Sequence, residues 1–277
     1  MAKGVGLYGN FRGKVGNTVG YTLKDSNNKQ TQGVRIYQPV VKNPKTYAQA
    51  AQRCMLAPIN ATYRALKPII DRGQEGLAYG NKSRLAWLSN AMKHYSTGWF
   101  VKGAEIVAPA IVPLTKGSLN LTAGISASEL GVEVEFGTTW AQAPTTVGAL
   151  AADIIANNIG AQEGDQITVV ALNGVSQPIS AVVKSIVLDS TSTVTLASLG
   201  LTGTDEGFKF SVNGTPVACA IILSREGSNG QHLRSTSSLK KAADYPAAND
   251  GDEAKEDAIK SYMSAAGNSD WPEESIQ

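Results

Sequence analysis

The residues of this chain whose types could do chemistry are few. They are His94 and His232, Cys54 and Cys219, the pair Glu133 and Glu135, and the acidic run NDGDE at 249–253. A base or nucleophile needs an activating partner within hydrogen-bond reach. His94 follows a helical stripe and reads as a helix-end residue. His232, in SNGQHLRSTS, has Ser and Arg neighbours but no G-x-S-x-G turn and no cysteine nucleophile beside it. Glu133 and Glu135 alternate with valines in GVEVEF, which puts both on one solvent-facing side of a strand, with nothing nearby to separate their pKa values. The run at 249–253 fails the twelve-residue register of a calcium loop. The cysteines lie far apart, outside any metal-ligand spacing, and read as buried thiols.

Two glycine motifs also fail. GVGLYG at 4–9 has the G-x-G-x-x-G spacing, but no strand precedes it and no helix follows. FRGKV at 11–15 resembles the end of a phosphate loop, yet Val15 stands where Ser or Thr would hold magnesium. The chain therefore reads as non-enzymatic, with no cofactor and no metal.

Charge is more informative. The formal net charge is +2, but residues 1–102 carry 16 Lys and Arg against Asp25, Asp71 and Glu75, a net of +13. Residues 103–241 carry a net of −4 and residues 242–277 a net of −7. Eleven of the 18 aromatic residues fall in the basic segment, among them Tyr8, Phe11, Tyr21, Tyr37, Tyr47 and Tyr63. Cations interleaved with aromatic rings are the footprint of a polyanion partner, because rings stack on bases while Lys and Arg neutralise phosphates. An acidic neighbouring subunit would serve the same charges. The contact residues expected on this reading are Lys14, Lys24, Arg35, Lys42, Lys45, Gln52 and Arg53.

The elements that must position these residues follow from pattern. Residues 1–13 form a Gly-rich arm. KVGNTVGYTLK (14–24) and GVRIYQPVV (33–41) read as two strands joined by the polar turn DSNNKQTQ, an N-terminal hairpin, with Gly16 and Gly20 marking a bulge or a close approach. In NPKTYAQAAQR (43–53), Pro44 holds Asn43 extended, Thr46 is a candidate N-cap and Gln49 completes a capping box. Tyr47, Ala50, Ala51 and Cys54 mark the packing stripe, and Gln52 and Arg53 lie on its flank. This helix is expected to kink at Pro58 and end near Pro68. A second helix is predicted from about Lys82 to Tyr95, with Leu85, Leu88, Met92 and Tyr95 inward.

From about residue 103 the texture changes to short apolar runs separated by turns: SLNLTAG, GVEVEFG, QITVVALNG, ISAVVKSIVLD, STVTLAS, FKFSVNG and TPVACAIILS. The fold class expected is α+β: a basic hairpin-helix module (14–102), an antiparallel β-sandwich, immunoglobulin-like or similar (103–241), and an acidic tail (242–277). TTVGALAADIIANN is predicted as a helix set between strands, and Glu253 to Ser264 as a short helix in the tail.

GKVGNTVGY (13–21), Arg35 and VKNPKTYAQAAQR (41–53) together resemble a pattern in small uncharacterised proteins of Bacteroidales genomes and their phages. It runs G-K-x-G-x-x-x-G-Y, then R, then N-P-x-T-x-x-Q-x-x-x-R. AIILSREGSNGQHLRSTSSL resembles the way such proteins close their β domain. The family has no assigned activity, and the acidic extension after Lys241 departs from its pattern. The resemblance implies a phage context, in the virion or the host cytoplasm.

The function expected is a structural or assembly protein whose partners are other virion subunits or copies of itself, as a homo-oligomer. The alternatives are a DNA- or RNA-binding protein and a glycan-binding sandwich built on Trp140, Phe136, Phe208 and Phe210. No apolar run approaches the roughly 18 residues of a membrane span, and the N-terminus lacks the apolar stretch of a signal peptide.

Overall fold

The computed structural model describes residues 13–24, 30–38, 46–97, 101–102, 105–106, 113–128, 131–157, 160–173, 180–213, 216–227, 232–242 and 252–264. It is α+β and divides into two compact units, Met1–Lys45 and Thr46–Gln277.

In the first unit, β1 (Gly13–Val15), β2 (Thr18–Lys24) and β3 (Gln30–Ile36) form an antiparallel sheet in that order. The sequence pattern treated residues 14–24 as one strand. Instead the chain reverses at Gly16 and Asn17, because Gly16 adopts φ +56°, a left-handed conformation that glycine takes without penalty. Tyr21 faces Gly33 directly across the sheet, and its ring lies where a Cβ on Gly33 would sit. A tyrosine covering a facing glycine restores contact that the missing side chain would have made.

The second unit begins with α1 (Tyr47–Ile70) and α2 (Asn81–Thr97). Thr46 is the N-cap of α1, but its side chain makes no capping bond, so the expected capping box does not form. The Thr46 carbonyl instead accepts from the Gln49 and Ala50 N–H groups. The helix also runs through Pro58 without the expected kink. Burial of Pro58 and Ile59 opposes the cost of the lost N–H, and the Thr62 hydroxyl donates to the Pro58 carbonyl at 2.9 Å. The irregularity falls at Leu66 (φ −111°, ψ 18°), two residues before Pro68. On α2 Ser83, Trp87 and Ala91 are buried and the expected Leu88 and Met92 pack beside them, but Leu85, also expected inward, is 54% exposed.

Then come β4 (Val101–Lys102) and β5 (Glu105–Ile106), paired together, and β6 (Pro113–Thr115). Two larger sheets follow. β7 (Gly124–Ser128), β8 (Gly131–Glu135), β11 (Thr202–Gly203) and β12 (Gly207–Phe210) form one, in the order β11-β12-β8-β7. β9 (Gln166–Asn173), β10 (Ser180–Val187), β13 (Pro216–Glu226) and β14 (His232–Arg234) form the other, in the order β10-β9-β13-β14. The helix α3 (Val147–Asn157) is inserted between strands at the expected place, with the Thr146 hydroxyl accepting from the Ala149 N–H. STVTLAS, expected as a strand, leads into a 3-10 turn at Leu196–Leu199. The short strands β15 (Ser237–Ser238) and β16 (Lys240–Lys241) pair with β6 and β13.

β13 is buried continuously from Pro216 to Ser224. Its residues divide by alternation. Val217, Cys219, Ile221 and Leu223 join a core with Val132, Val134, Phe208 and Phe210 of the other sheet. Ala218, Ala220 and Ile222 join a core with Ile59, Leu66 and Ile70 of α1 and Trp87 of α2. Each large apolar side chain fully buried there contributes about 1.5–3 kcal/mol. The helices thus share their core with the β-strands. The unit boundary falls at residue 45 and not near 102, because the helices bury their apolar face on β9 and β13. Finally α4 (Asp252–Ser264), one residue longer than predicted, packs Ile259 and Met263 against Ala50 and Cys54 of α1.

Candidate interaction surface

The register of the first sheet decides which of its side chains act together. Paired residues of antiparallel strands share a face, and so do residues two apart. Lys14, Val19 and Arg35 form one row across β1, β2 and β3. Val15, Thr18 and Ile36 form a row on the opposite face, and Gly13, Gly20 and Val34 form the next row on that same face.

Lys14 and Arg35 are exposed, and the Lys14 ammonium sits 3.6 Å over the Tyr37 ring. Such a cation on an aromatic face is held by the ring quadrupole. On the other face Val15, Val34 and Ile36 are 65%, 54% and 77% exposed. Among the described residues, none of this sheet joins a buried hydrophobic cluster.

The remaining expected contact residues are placed as follows. Lys24 ends β2 opposite Gln30. Gln52 and Arg53 are exposed on α1, in the other unit. Lys42 and Lys45 lie outside the described residues, as does the arm before Gly13. The structure therefore gathers Lys14 and Arg35 into one row and assigns Gln52 and Arg53 to a different unit.

The chemistry-bearing residues take mostly structural places. Cys54 and Cys219 are buried, and burial pushes both thiols up to about 12, far from a reactive thiolate. Glu133 and Glu135 line the outer side of β8 while Val132 and Val134 point into the core. His232 is 3.7 Å from the Glu226 carboxylate and its ring lies 5.4 Å from that of Tyr79. His94 lies on α2. Trp140, Phe136, Phe208 and Phe210 are all buried, so an exposed aromatic platform for glycan is not built from them. Among the described residues, no group of three or more His, Cys, Asp and Glu is placed to hold a metal ion. No helix among them is long and apolar enough to cross a membrane.

Two clusters had no sequence signature. Asp165, fully buried, is gripped by Arg225 through Nε at 2.6 Å and a terminal nitrogen at 2.7 Å. The same guanidinium donates to the Gly160 carbonyl, and the Gln162 N–H donates to Asp165. The second cluster lines a cleft of about 420 Å³ in the second unit, between the 72–79 loop and β14. There Glu75 accepts from the Ser118 N–H and hydroxyl, each at 2.8 Å, and from the Arg234 N–H at 3.3 Å. Burial opposes ionisation of Glu75, but these bonds outweigh it and hold its carboxyl below the ordinary glutamate range.

Comparison of the chain with protein-family models, with curated proteins and with solved structures found no match.

Proposed function

We propose that this chain is a non-enzymatic assembly protein of a phage particle, in which the N-terminal basic sheet docks on an acidic neighbouring subunit. The phage context rests on the resemblance of residues 13–53. The observation that carries the assembly reading is a sheet exposed on both faces, Lys14 and Arg35 on one and Val15, Val34 and Ile36 on the other. Three strands with an uncovered apolar face are stabilised by packing on something else. The chain itself carries a net charge of −7 in its last 36 residues, so a second copy meets the charge requirement. In the second unit, the core shared by the β8 and β13 sheets supports reading that region as a β-sandwich with helices on its outer face.

The cation and ring arrangement favours one other reading. Lys14 over Tyr37, with Arg35 in the same row as Lys14, is the kind of surface on which single-stranded nucleic acid stacks and neutralises its phosphates. The double variant Lys14→Glu, Arg35→Glu tests both. Loss of self-association with no effect of oligonucleotides supports assembly. Loss of oligonucleotide binding by a protein that is monomeric throughout supports the second reading. Unchanged behaviour in both assays contradicts the two together.

A further inference from the structure

We propose that β10, the edge of its sheet, is a contact between two copies of this chain, each adding its β10 antiparallel to the other's about a two-fold axis through Ser185. The contact is separate from the docking proposed for the basic sheet. The order β10-β9-β13-β14 gives β10 a neighbouring strand on one side, among the described residues. Ser180–Val187 pairs one to one with Asn173–Gln166 and carries no bulge, so alternate backbone N–H and C=O groups point away from β9. Among the described residues, no backbone group outside the β9 ladder bonds to residues 180–187.

Edge strands are ordinarily blunted by shortness, a proline, a bulge or an outward lysine. β10 is eight residues long, SAVVKSIV, and has no proline. Its one charged residue, Lys184, is turned back on the chain, where the ammonium donates to the Leu199 carbonyl at 2.7 Å. The side chains alternate between two faces. Val182 and Ile186 join the core between the two larger sheets. On the other face Ala181 packs on the core under α1, but Val183 and Val187 beyond it are 42% and 52% exposed. Ser185 between them is exposed as well, with its hydroxyl 3.1 Å from that of Thr168.

The occupant follows from the strand itself. On the open face the order Val183, Ser185, Val187 is the same in both directions. A two-fold axis through Ser185 therefore sets Val183 against the second copy's Val187, and Val187 against its Val183, covering all four valines. The same register puts Lys184 opposite the second copy's Ile186, so no like charges are opposed. An unrelated strand would have to supply both features, whereas a second copy supplies them by symmetry. The area sets the strength. About seven residue pairs make a strip about 24 Å long and about 10 Å thick, a few hundred Å² per copy. A long-lived complex needs roughly 800 Å² per partner, so this dimer is a reversible one, with a Kd on the order of 100 µM. Between copies already held in one assembly, such a contact acts at an effective concentration near millimolar.

The test is sedimentation velocity on the full chain carrying Lys14→Glu and Arg35→Glu, at high salt and from about 10 µM to about 1 mM. These conditions remove the docking proposed for the basic sheet, so either proposal can fail without the other. A monomer–dimer equilibrium that salt does not shift is expected, populated above the concentrations of a chromatography column. Val183→Lys with Val187→Lys should weaken it at least tenfold, with the circular dichroism unchanged because both positions are exposed. Val183→Lys with Val187→Glu should restore it, since the two positions lie about 14 Å apart within one strand and meet across the axis. Ser185→Cys gives a second readout. Mild oxidation should yield a disulfide-linked dimer, with which the buried Cys54 and Cys219 do not compete. A chain monomeric at the highest concentration, equal self-association of the Lys–Lys and Lys–Glu variants, or no covalent dimer from Ser185→Cys would each overturn the proposal.

Discussion

Asp165 is fully buried and its carboxylate is held by the Arg225 fork. Removing Arg225 leaves a buried charge without its partner, so Arg225→Ala should cost about 3–5 kcal/mol in a urea titration. Replacing both residues by apolar ones of similar volume should cost less, which a double-mutant cycle would read. Glu75 makes a prediction about pH. Its folded pKa is lowered, so its contribution is present above the ordinary value of 4.5 and is lost as pH falls through the folded value. Glu75→Gln should therefore destabilise by about 1 kcal/mol near neutrality, and the gap to the native protein should narrow as the pH falls below 4.5. At this scale the sequence was readable where neighbours alone decide: the alternation of GVEVEF places Glu133 and Glu135 outward. It was silent where partners are remote. Asp165 and Arg225 stand sixty residues apart, and Glu75 meets Ser118 only because two loops converge.

At the scale of elements, α2 gives the sharpest contrast. Trp87 is 1% exposed in the core under the β9–β13 sheet, and Trp87→Ala should cost about 3–5 kcal/mol. Leu85→Ala on the outer face should change stability by under about 0.5 kcal/mol. If the two effects were reversed by thermal unfolding, the assigned face of α2 would be wrong. The helical period was legible and so were Leu88 and Met92 as packing residues, but the centre of the buried face was not, because Leu85 satisfies the spacing as well as Ser83, Trp87 and Ala91 do. TPVACAIILS reads as a strand from its β-branched run, but its burial on both faces depends on helices that end more than 115 residues earlier in the chain. Gly207 shows how close the strands come. A Cβ there would strike the Val134 carbonyl, so Gly207→Val should separate β12 from β8 and destabilise by about 3 kcal/mol or more. The turn at Gly16 and Asn17 was concealed because KVGNTVGYTLK also fits one continuous strand with a bulge.

At the scale of the whole molecule, the sequence announces a charge asymmetry, +13 in residues 1–102 and −7 in residues 242–277. It does not announce how the chain divides. The basic segment is split at residue 45, and the acidic helix α4 lies on α1 through Ile259 and Met263. Ile259→Asp should detach α4 and expose residues 252–264 to limited proteolysis while the β core stays resistant. In the three-stranded sheet of the first unit, Val15, Val34 and Ile36 are exposed, and the proposed docking rests on that face and on the Lys14 and Arg35 row. The most direct test is size-exclusion chromatography with light scattering, at low and high salt, with and without single-stranded and duplex oligonucleotides. The account predicts an oligomer at low salt that dissociates at high salt, ignores both oligonucleotides, and is lost in the Lys14→Glu, Arg35→Glu variant. A chain that stays monomeric at every salt concentration, or that changes size only when nucleic acid is added, would contradict it.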